Sequence, residues 1–205
     1  MGRMLQPMGK MSRREGVALD ESPKNPVRKR PYPPGVHGPE AGRGRRMSGF
    51  GIQLREKQKA RRLYGVMERQ FRNYFEKAVS KQGNTGEILV RLLETRLDNA
   101  VYRLGFAKTR RMARQMVNHG FFLVNGQKVD IPSYQVRVGD EISIKENKQA
   151  KAIFQEMTDR LKKHKTVGWL SLDANAQTGK VTSVPEGEDL KQVFDPKLIV
   201  EFYSR

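Results

Sequence analysis

The stretch T-R-R-M-A-R-Q-M-V-N-H-G-F-F-L-V-N-G-Q-K-V, residues 109–129, predicts a short helix followed by a tight β-hairpin. Residues 110–119 place apolar side chains on one arc of a helical wheel and basic or amide side chains on the other. Gly120 is expected to end the helix. Asn125-Gly126 between apolar alternations is a strong hairpin signal, so a helix packed on a small twisted sheet is expected.

The same region is strongly basic. Between Asp98 and Asp130 the chain has no aspartate or glutamate, so its positive charges are expected to be uncompensated. The basic residues in this interval, six in all, are Arg103, Lys108, Arg110, Arg111, Arg114 and Lys128. Thr109 is a favourable N-cap, so the arginines that follow it oppose the helix dipole. Guanidinium groups beside the backbone N–H groups of a helix start predict an anion site for nucleic-acid phosphates.

The helical wheel divides residues 110–119 into two faces. The basic arc holds Arg110, Arg111, Arg114, Gln115 and Asn118. Because Arg110 and Arg114 are one turn apart on this arc, they are expected to contact RNA from the solvent side without supporting the core. Met116, on the opposite arc, is expected in the core. A short helix beside a hairpin suits an irregular RNA surface better than the DNA major groove.

The composition of the whole chain favours the same partner. Its 205 residues include 40 Lys+Arg against 22 Asp+Glu, a net charge of +18, which indicates a polyanionic ligand. Cysteine is absent and the histidines lack ligand spacing, so neither a metal nor another cofactor is expected. Neither a secretory signal nor an apolar run near the ~18 residues of a membrane span is visible, so the cytoplasm is expected.

The repeat of apolar residues and the positions of glycine and proline predict an α+β fold. Residues 1–50 are rich in proline and glycine, and are expected to be extended or disordered until they lie against a partner. Residues 53–80 have the apolar repeat of a helix, which Gly65 breaks or kinks. Asn84 and Glu87 form the pattern of a capping box at the start of a further helix that ends at Gly105.

The C-terminal half is expected to mix strands and one helix. Alternating apolar residues around Gly139-Asp140 predict a second hairpin. Residues 150–164 are predicted to be helical, with Ile153, Phe154, Met157 and Leu161 facing inward. Short strands are expected near residues 169–172 and 198–203.

Particular motifs resemble a known family. R-L-D-N-A-V-Y-R-L-G-F-A-K-T-R-R-M-A-R-Q-M-V-N-H-G (96–120) resembles a small RNA-binding module that also occurs in pseudouridine synthases, tyrosyl-tRNA synthetases and a heat-shock protein. S-R-R-E-G (12–16), G-I-Q-L-R-E-K-Q-K-A-R-R-L-Y-G (51–65) and I-V-E-F-Y-S-R (199–205) resemble the bacterial family of small-subunit ribosomal protein four. This resemblance runs from end to end.

The resemblance implies an organisation and a role. It implies an extended basic segment of residues 1–50, a helical body of 51–93 with 165–205, and an inserted RNA-binding module of 94–150. It implies a structural component of the small ribosomal subunit, not an enzyme, that binds 16S-type rRNA first and nucleates assembly of the subunit body. A share in translational accuracy and in the lining of the mRNA entry path follows from the same resemblance.

The implied partners are small-subunit rRNA, mRNA at the entry path, ribosomal protein five and other small-subunit proteins, with no membrane and no small-molecule substrate. The implied location is the ribosome, in the cytoplasm or in an organelle matrix or stroma. The expected rRNA-binding residues are Arg3, Arg13, Arg14, Arg55, Lys57, Lys59, Arg61, Arg62, Arg69, Arg72, Arg103, Lys108, Thr109, Arg110, Arg111, Arg114, Gln115, His119 and Lys128. Arg43, Arg45 and Arg46 are expected at the mRNA entry path.

Two positions depart from the family pattern. Some members carry zinc-binding cysteines in the N-terminal segment, where this chain has Gly9 and Ser12. Zinc is therefore not expected, and the order of residues 1–50 is expected to come from rRNA. In the family's P-G-Q-H-G, Val36 replaces the glutamine, which removes a polar contact.

Two other functions are compatible with a module of this kind. Arg96-Leu97-Asp98 resembles the sequence around the catalytic aspartate of pseudouridine synthases, but such an enzyme needs a separate domain on the order of 150 residues. Asp98 is instead expected to pair with a neighbouring arginine or to cap a helix. A free RNA-binding chaperone that uses the same module is the other alternative; it would be recovered with isolated large subunits.

Overall fold

The computed structural model describes residues 4–20, 22, 25–40, 47–145 and 157–205, except the side chains of residues 158 and 159. The helices are α1 (Met8–Glu15), α2 (Gly49–Leu63), α3 (Glu68–Val79), α4 (Thr85–Glu94), α5 (Leu97–Arg103), α6 (Arg110–Asn118), α7 (Met157–Lys162) and α8 (Pro196–Tyr203). The strands are β1 (Phe122–Val124), β2 (Gln127–Lys128), β3 (Glu141–Ile144), β4 (Leu170–Asp173) and β5 (Thr178–Val181). The chain divides into unit 1, Met1–Leu89 with Gln192–Arg205, and unit 2, Val90–Lys191.

Unit 1 is built from helices. The apolar repeat of residues 53–80 forms two helices, because Gly65 adopts a φ of 62° between α2 and α3. Residues 198–203, expected as a strand, are helical in α8. Asp195 caps α8 by accepting a hydrogen bond from the Lys197 backbone N–H at 2.8 Å. The strand prediction is therefore wrong, since this cap and the proline that follows it start a helix.

The N-terminal segment is packed within unit 1. Met11 of α1 and Leu19 are each 2% exposed. The Ser12 hydroxyl oxygen accepts hydrogen bonds from the Leu19 backbone N–H at 3.2 Å and from the Asn25 side-chain amide at 3.3 Å. The expectation of an extended segment is therefore wrong for these residues, because they form α1 and pack through their own hydrogen bonds.

The sheet of unit 2 has the strand order β2-β1-β3-β5-β4, with antiparallel neighbours, and with the helices it confirms the predicted α+β class. The predicted Asn125-Gly126 turn joins β1 to β2, with φ angles of 50° and 76°. The second predicted hairpin is wrong, because β3 pairs with β1 and β5 rather than with residues 136–138. Residues 170–181 supply β4 and β5 to this sheet, so the expected assignment of residues 165–191 to the helical body differs from the observed division.

The core of unit 2 lies between its helices and one face of the sheet. Phe106, Phe122 and Trp169 are 0% exposed, and Met116 of α6 is 3% exposed, as expected. The rings of Phe106 and Phe122 pack together with 5.8 Å between their centres. These buried side chains hold α6 and the sheet as one body.

Backbone hydrogen bonds explain why the helix that begins at the Asn84 cap breaks into α4 and α5. The Leu97 N–H donates to the Tyr134 carbonyl at 2.8 Å, and the Val136 N–H donates to the Thr95 carbonyl at 2.9 Å. The backbone between the two helices is therefore bonded to residues 134–136 instead of continuing the helical pattern.

The described part of the predicted helix at residues 150–164 is α7. Met157 and Leu161 are buried as predicted, whereas Ile153 and Phe154 lie outside the described residues. None of the helices in the described ranges has the length and apolar character of a membrane span.

Candidate nucleic-acid interface

The surface of α6 that faces away from the core is polar and basic. We define the outward face as Lys108, Arg111, Gln115, His119 and Lys128. Lys108, Gln115, His119 and Lys128 are exposed, and Arg111 is half-buried. The first four residues of this set recur every three or four positions and therefore follow one side of the helix. The Lys128 stem lies beside the end of α6, since a Cβ at Gly120 would stand 2.5 Å from its Cε.

The start of α6 suits an anion. The Thr109 hydroxyl oxygen accepts a hydrogen bond from the Met112 backbone N–H at 3.1 Å, so the predicted N-cap is confirmed. No acidic residue lies in the first turn, and Lys108 precedes the cap. The positive end of the helix dipole and the Lys108 side chain therefore favour a phosphate group at the start of α6.

Two residues expected to contact RNA also make contacts within unit 2. Arg110 Nε donates a hydrogen bond to Asn99 Oδ1 at 2.8 Å, and its guanidinium group lies 4.4 Å from the centre of the Tyr102 ring. Arg114 is only 9% exposed, with Nη1 3.8 Å from Asp98 Oδ2. The expectation that both arginines face solvent without supporting the core is wrong, because Arg114 is buried and Arg110, although half-buried like Arg111, is held by residues of α5.

The helical wheel explains why these arginines are covered. At roughly 100° per residue, positions 110 and 114 stand at the edge of the basic arc nearest to the buried residues Ala113 and Val117. The centre of the exposed arc lies instead near Gln115. Periodicity predicted that α6 has a buried and an exposed side, but it placed Arg114 on the wrong one, because the width of the face covered by α5 depends on packing.

A buried polar cluster at the start of α5 holds unit 2 together. Arg96, 0% exposed, donates from Nε and Nη2 to the two carboxylate oxygens of Asp98 at 2.9 and 2.6 Å. The predicted pairing of Asp98 with a neighbouring arginine is confirmed. Glu94 accepts two hydrogen bonds from Arg103, at 3.1 and 3.0 Å. Asp98 therefore has the surroundings of a structural ion-pair partner rather than of a catalytic carboxylate.

The acids that balance this basic region lie just outside the acid-free interval. Glu94, which precedes the interval, forms an ion pair with Arg103. Asp98, at its boundary, lies 3.8 Å from Arg114 as well as pairing with Arg96. Asp130 lies 3.2 Å from Lys128 at the other boundary, with both side chains about half exposed. The expectation of uncompensated charge is therefore wrong for Arg103, Arg114 and Lys128, because a linear interval does not show which acids fold back onto it.

The basic residues of α2 are also paired with acids. Five of them were expected to bind rRNA: Arg55, Lys57, Lys59, Arg61 and Arg62. Arg55 and Arg62 form ion pairs with Glu15 of α1, Lys57 and Arg61 with Glu68 of α3, and Lys59 with Glu56. Only Glu56 is their neighbour in the sequence, because the other two acids come from different helices.

Glu68 is the central acceptor of unit 1. It accepts hydrogen bonds from Lys57 at 2.7 Å, Arg61 at 3.0 Å and the Tyr203 hydroxyl at 3.0 Å. Burial by itself would raise the pKa of Glu68, but these hydrogen bonds and the charges of Lys57 and Arg61 lower it. Lys57 Nζ also lies 4.6 Å from the centre of the Phe202 ring. These contacts join α2, α3 and α8.

Glu15 is the buried partner of the arginines from α2. Its side chain is 0% exposed and accepts a hydrogen bond from Arg62. Burial raises the pKa of Glu15, although the charges of Arg62 and Arg55 oppose the shift. Burial likewise lowers the pKa of Arg62. The ion pairs with Arg62 and Arg55 therefore join α1 to α2.

The other expected RNA-binding residues have different surroundings. Arg13 donates to the backbone carbonyls of Tyr32 and Pro33, each at 3.0 Å, and so orders the following loop. Arg72 forms an exposed ion pair with Glu76 at 3.1 Å. Arg14 and Arg69 are exposed. Arg3, Arg43, Arg45 and Arg46 lie outside the described residues.

Nothing in the described part of the chain forms a metal-binding group of three or more His, Cys, Asp or Glu side chains. Ser12, at one of the positions where some family members carry cysteine, is used in hydrogen bonds with Leu19 and Asn25. Val36, which replaces the family glutamine, is 91% exposed. Its side chain therefore takes no part in the core.

Comparisons with known proteins agree with the resemblance in the motifs. Residues 3–94 match the family model described as Ribosomal protein S4/S9 N-terminal domain, and residues 95–142 match the S4 domain. Proteins named small ribosomal subunit protein uS4 are 49% identical in Thermus thermophilus and 50% identical in Roseiflexus castenholzii and Persephonella marina. Each alignment covers 100% of both chains. The chain therefore belongs to the uS4 family of small ribosomal subunit proteins.

Proposed function

We propose that this chain binds the RNA of the small ribosomal subunit through the outward face of unit 2, and that this contact nucleates assembly of the subunit body. The observation that carries the proposal is the row of exposed side chains Lys108, Gln115, His119 and Lys128 along one side of α6 and on β2, beside a helix start without acids. Unit 2 presents these groups on regular secondary structure, which fixes their spacing for a folded RNA.

The chemistry of the outward face suits phosphates and ribose. Lys108 and Lys128 offer cationic donors, and the Gln115 amide can both donate and accept hydrogen bonds with a 2′-hydroxyl. The ion pair between Lys128 and Asp130 is exposed and therefore weak, so exchange of Asp130 for a phosphate costs little. The His119 ring lies beside Phe121, with 6.1 Å between the ring centres, and adds a flat surface for base stacking.

Arg110 and Arg114 have a supporting role in this proposal. Their contacts with Asn99, Tyr102 and Asp98 hold α6 against α5, so they set the direction of the outward face. In unit 1, the exposed side chains of Arg14 and Arg69 are better candidates for RNA contact than the paired cations of α2. Arg43, Arg45 and Arg46 remain proposed contacts for mRNA at the entry path.

We also propose a protein-binding surface for ribosomal protein five on unit 1. Met47, Phe50 and Ile52, at the start of α2, are between 40% and 54% exposed. Phe50 packs on Phe202 with 5.5 Å between ring centres, which extends the apolar surface onto α8. Exposed aromatic and aliphatic side chains of this kind are typical of the buried centre of protein interfaces. We propose that the chain contributes to translational accuracy through this contact with ribosomal protein five.

The RNA proposal is tested by removing charge from two surfaces. The double variant Lys108→Ala, Lys128→Ala should weaken rRNA binding by roughly 1 to 3 kcal/mol for each lysine that contacts the RNA. The control is Lys77→Ala, Lys81→Ala, which removes the same charge from exposed residues of unit 1. Equal weakening by both double variants would show that binding depends on net charge and not on the outward face.

Salt dependence provides a second measurement on the same variants. The logarithm of the wild-type association constant should fall linearly with the logarithm of the salt concentration. The slope should become shallower by about 1 for each phosphate-binding lysine removed from the outward face, and stay unchanged in the control. Sedimentation of a lysate should place the chain with small subunits; recovery mainly with isolated large subunits would favour the free-chaperone alternative.

A further inference from the structure

The hairpin turn of unit 2 contains a chemically labile pair of residues. Asn125-Gly126 is the only Asn-Gly pair in the 205-residue chain. Both residues are exposed. Glycine has no side chain to crowd its backbone nitrogen, so that nitrogen can approach the side-chain amide carbon of the preceding asparagine. Asn-Gly pairs in unfolded chains are therefore susceptible to spontaneous deamidation.

The reaction needs only water. The Gly126 backbone nitrogen forms a bond to Asn125 Cγ and loses its proton, while the Asn125 amide nitrogen gains a proton and leaves as ammonia. Water then opens the resulting succinimide ring at either of its carbonyl carbons. One product is aspartate. The other is isoaspartate, in which the main chain passes through the former side chain and gains a methylene group.

The structure restrains the reacting amide at both ends. Asn125 Nδ2 donates a hydrogen bond to Asp140 Oδ1 at 2.8 Å. Asn125 Oδ1 accepts a hydrogen bond from the Glu141 backbone N–H at 2.9 Å. Asp140 is itself fixed, because its Oδ2 accepts from the Arg137 backbone N–H at 2.8 Å. We call these three hydrogen bonds the Asn125 clasp. Attack on Cγ requires the side chain to rotate and give up its two hydrogen bonds.

We propose that Asn125 is a deamidation site that the Asn125 clasp keeps unreactive, and that it reacts when the hairpin turn separates from the start of β3. Aspartate at this position would place a second carboxylate against Asp140 and remove the donor that now bridges them. Isoaspartate would lengthen the main chain inside the turn and disturb the pairing of Val124 with Gln127. Either product therefore prevents the clasp from closing again.

The test follows the mass change at Asn125 by peptide mapping after incubation at neutral pH. Three samples are compared: the native chain, the same chain unfolded in urea, and the folded variant Asp140→Ala. The native chain should deamidate about tenfold or more slowly than the unfolded chain, because two hydrogen bonds must open first. Asp140→Ala should react at an intermediate rate. The control is Asn125→Gln, whose side chain would have to close a six-membered imide, which forms much more slowly; loss of the mass change in this variant assigns the signal to residue 125.

Two outcomes would overturn the proposal. One is a native chain that deamidates as fast as the unfolded chain. The other is folded Asp140→Ala that reacts as slowly as the native chain. If Asp140→Ala does not fold, the comparison of native and unfolded wild-type chain still decides, since it needs no substitution. The readout does not involve RNA, so it is independent of the proposed rRNA contact.

Discussion

Helices α2 and α6 are both basic, yet their charged side chains have different surroundings. In α2 the five cations expected to bind rRNA form ion pairs with three acids, two of which come from α1 and α3. In α6 the arginines nearest the core are held by α5, while the opposite side carries the outward face, whose exposed members are Lys108, Gln115, His119 and Lys128. Charge density along a helix therefore does not show which cations are paired with acids and which are exposed.

The largest expected effect comes from the buried pair of unit 2. Asp98→Ala leaves the fully buried guanidinium group of Arg96 without its carboxylate. Removal of one partner of a buried ion pair should cost about 3 to 5 kcal/mol in the free energy of unfolding. Urea unfolding followed by the fluorescence of Trp169, the single tryptophan, measures unit 2 directly.

Asp130→Ala is the matched control for that substitution, since it removes an exposed carboxylate from an ion pair with Lys128. Its cost should stay within about 1 kcal/mol. Similar costs for the two aspartate variants would contradict the distinction between the buried cluster and the surface of unit 2.

A second prediction separates the two sides of α6. Arg114→Ala removes a largely buried arginine beside Asp98 and should lower the free energy of unfolding of unit 2 by roughly 1 to 3 kcal/mol. Lys108→Ala should leave stability within ~0.5 kcal/mol and lower RNA affinity instead. Urea unfolding and RNA titration of both variants measure these quantities. An Arg114→Ala variant as stable as the wild type would show that Arg114 does not support the core and belongs to the outward face.

The third prediction concerns the pH dependence of unit 1. The folded-state pKa of Glu68 is lowered from its ordinary value of 4.5, so its charged form stabilises the fold above that pH. This contribution should disappear as the pH falls from 4.5 through the lower folded-state pKa. Glu68→Gln should therefore cost about 1 kcal/mol at neutral pH, and the difference from wild type should shrink in acid.

The third prediction is tested by hydrogen exchange of the backbone amides of α2 and α8, measured from neutral to acid pH. Glu76→Gln is the control, because its partner Arg72 is exposed and its carboxylate does not join helices. A stability difference for Glu68→Gln that is constant from neutral to acid pH would show that the Glu68 charge contributes nothing.

The smallest effect is expected at the surface of α3. Arg72 and Glu76 form an exposed pair one turn apart, with side chains 70% and 60% exposed. Arg72→Ala should change the free energy of unfolding by no more than about 0.5 kcal/mol. Thermal unfolding measures this change. A larger destabilisation would show that Arg72 supports the fold, as the paired cations of α2 do.

Short sequence motifs correctly predicted those helix starts and turns that depend on contacts between neighbouring residues. The Thr109 cap of α6, the Asn84 cap of α4 and the Asn125-Gly126 turn all follow from such motifs. Each depends on contacts within a few residues, so the sequence contains the necessary information. Residues 198–203 were predicted wrongly, because a short apolar run fits a helix or a strand equally well.

The sequence by itself determined the strong positive charge, the α+β class, the two faces of α6 and the family resemblance. Only the tertiary structure decided which cations are paired, because Glu15, Glu68 and Asp98 reach their partners through the packing of separate helices. It also decided that β4 and β5 complete the sheet of unit 2. Ion pairs and strand pairing join residues far apart in the chain, and spacing along the sequence does not specify such contacts.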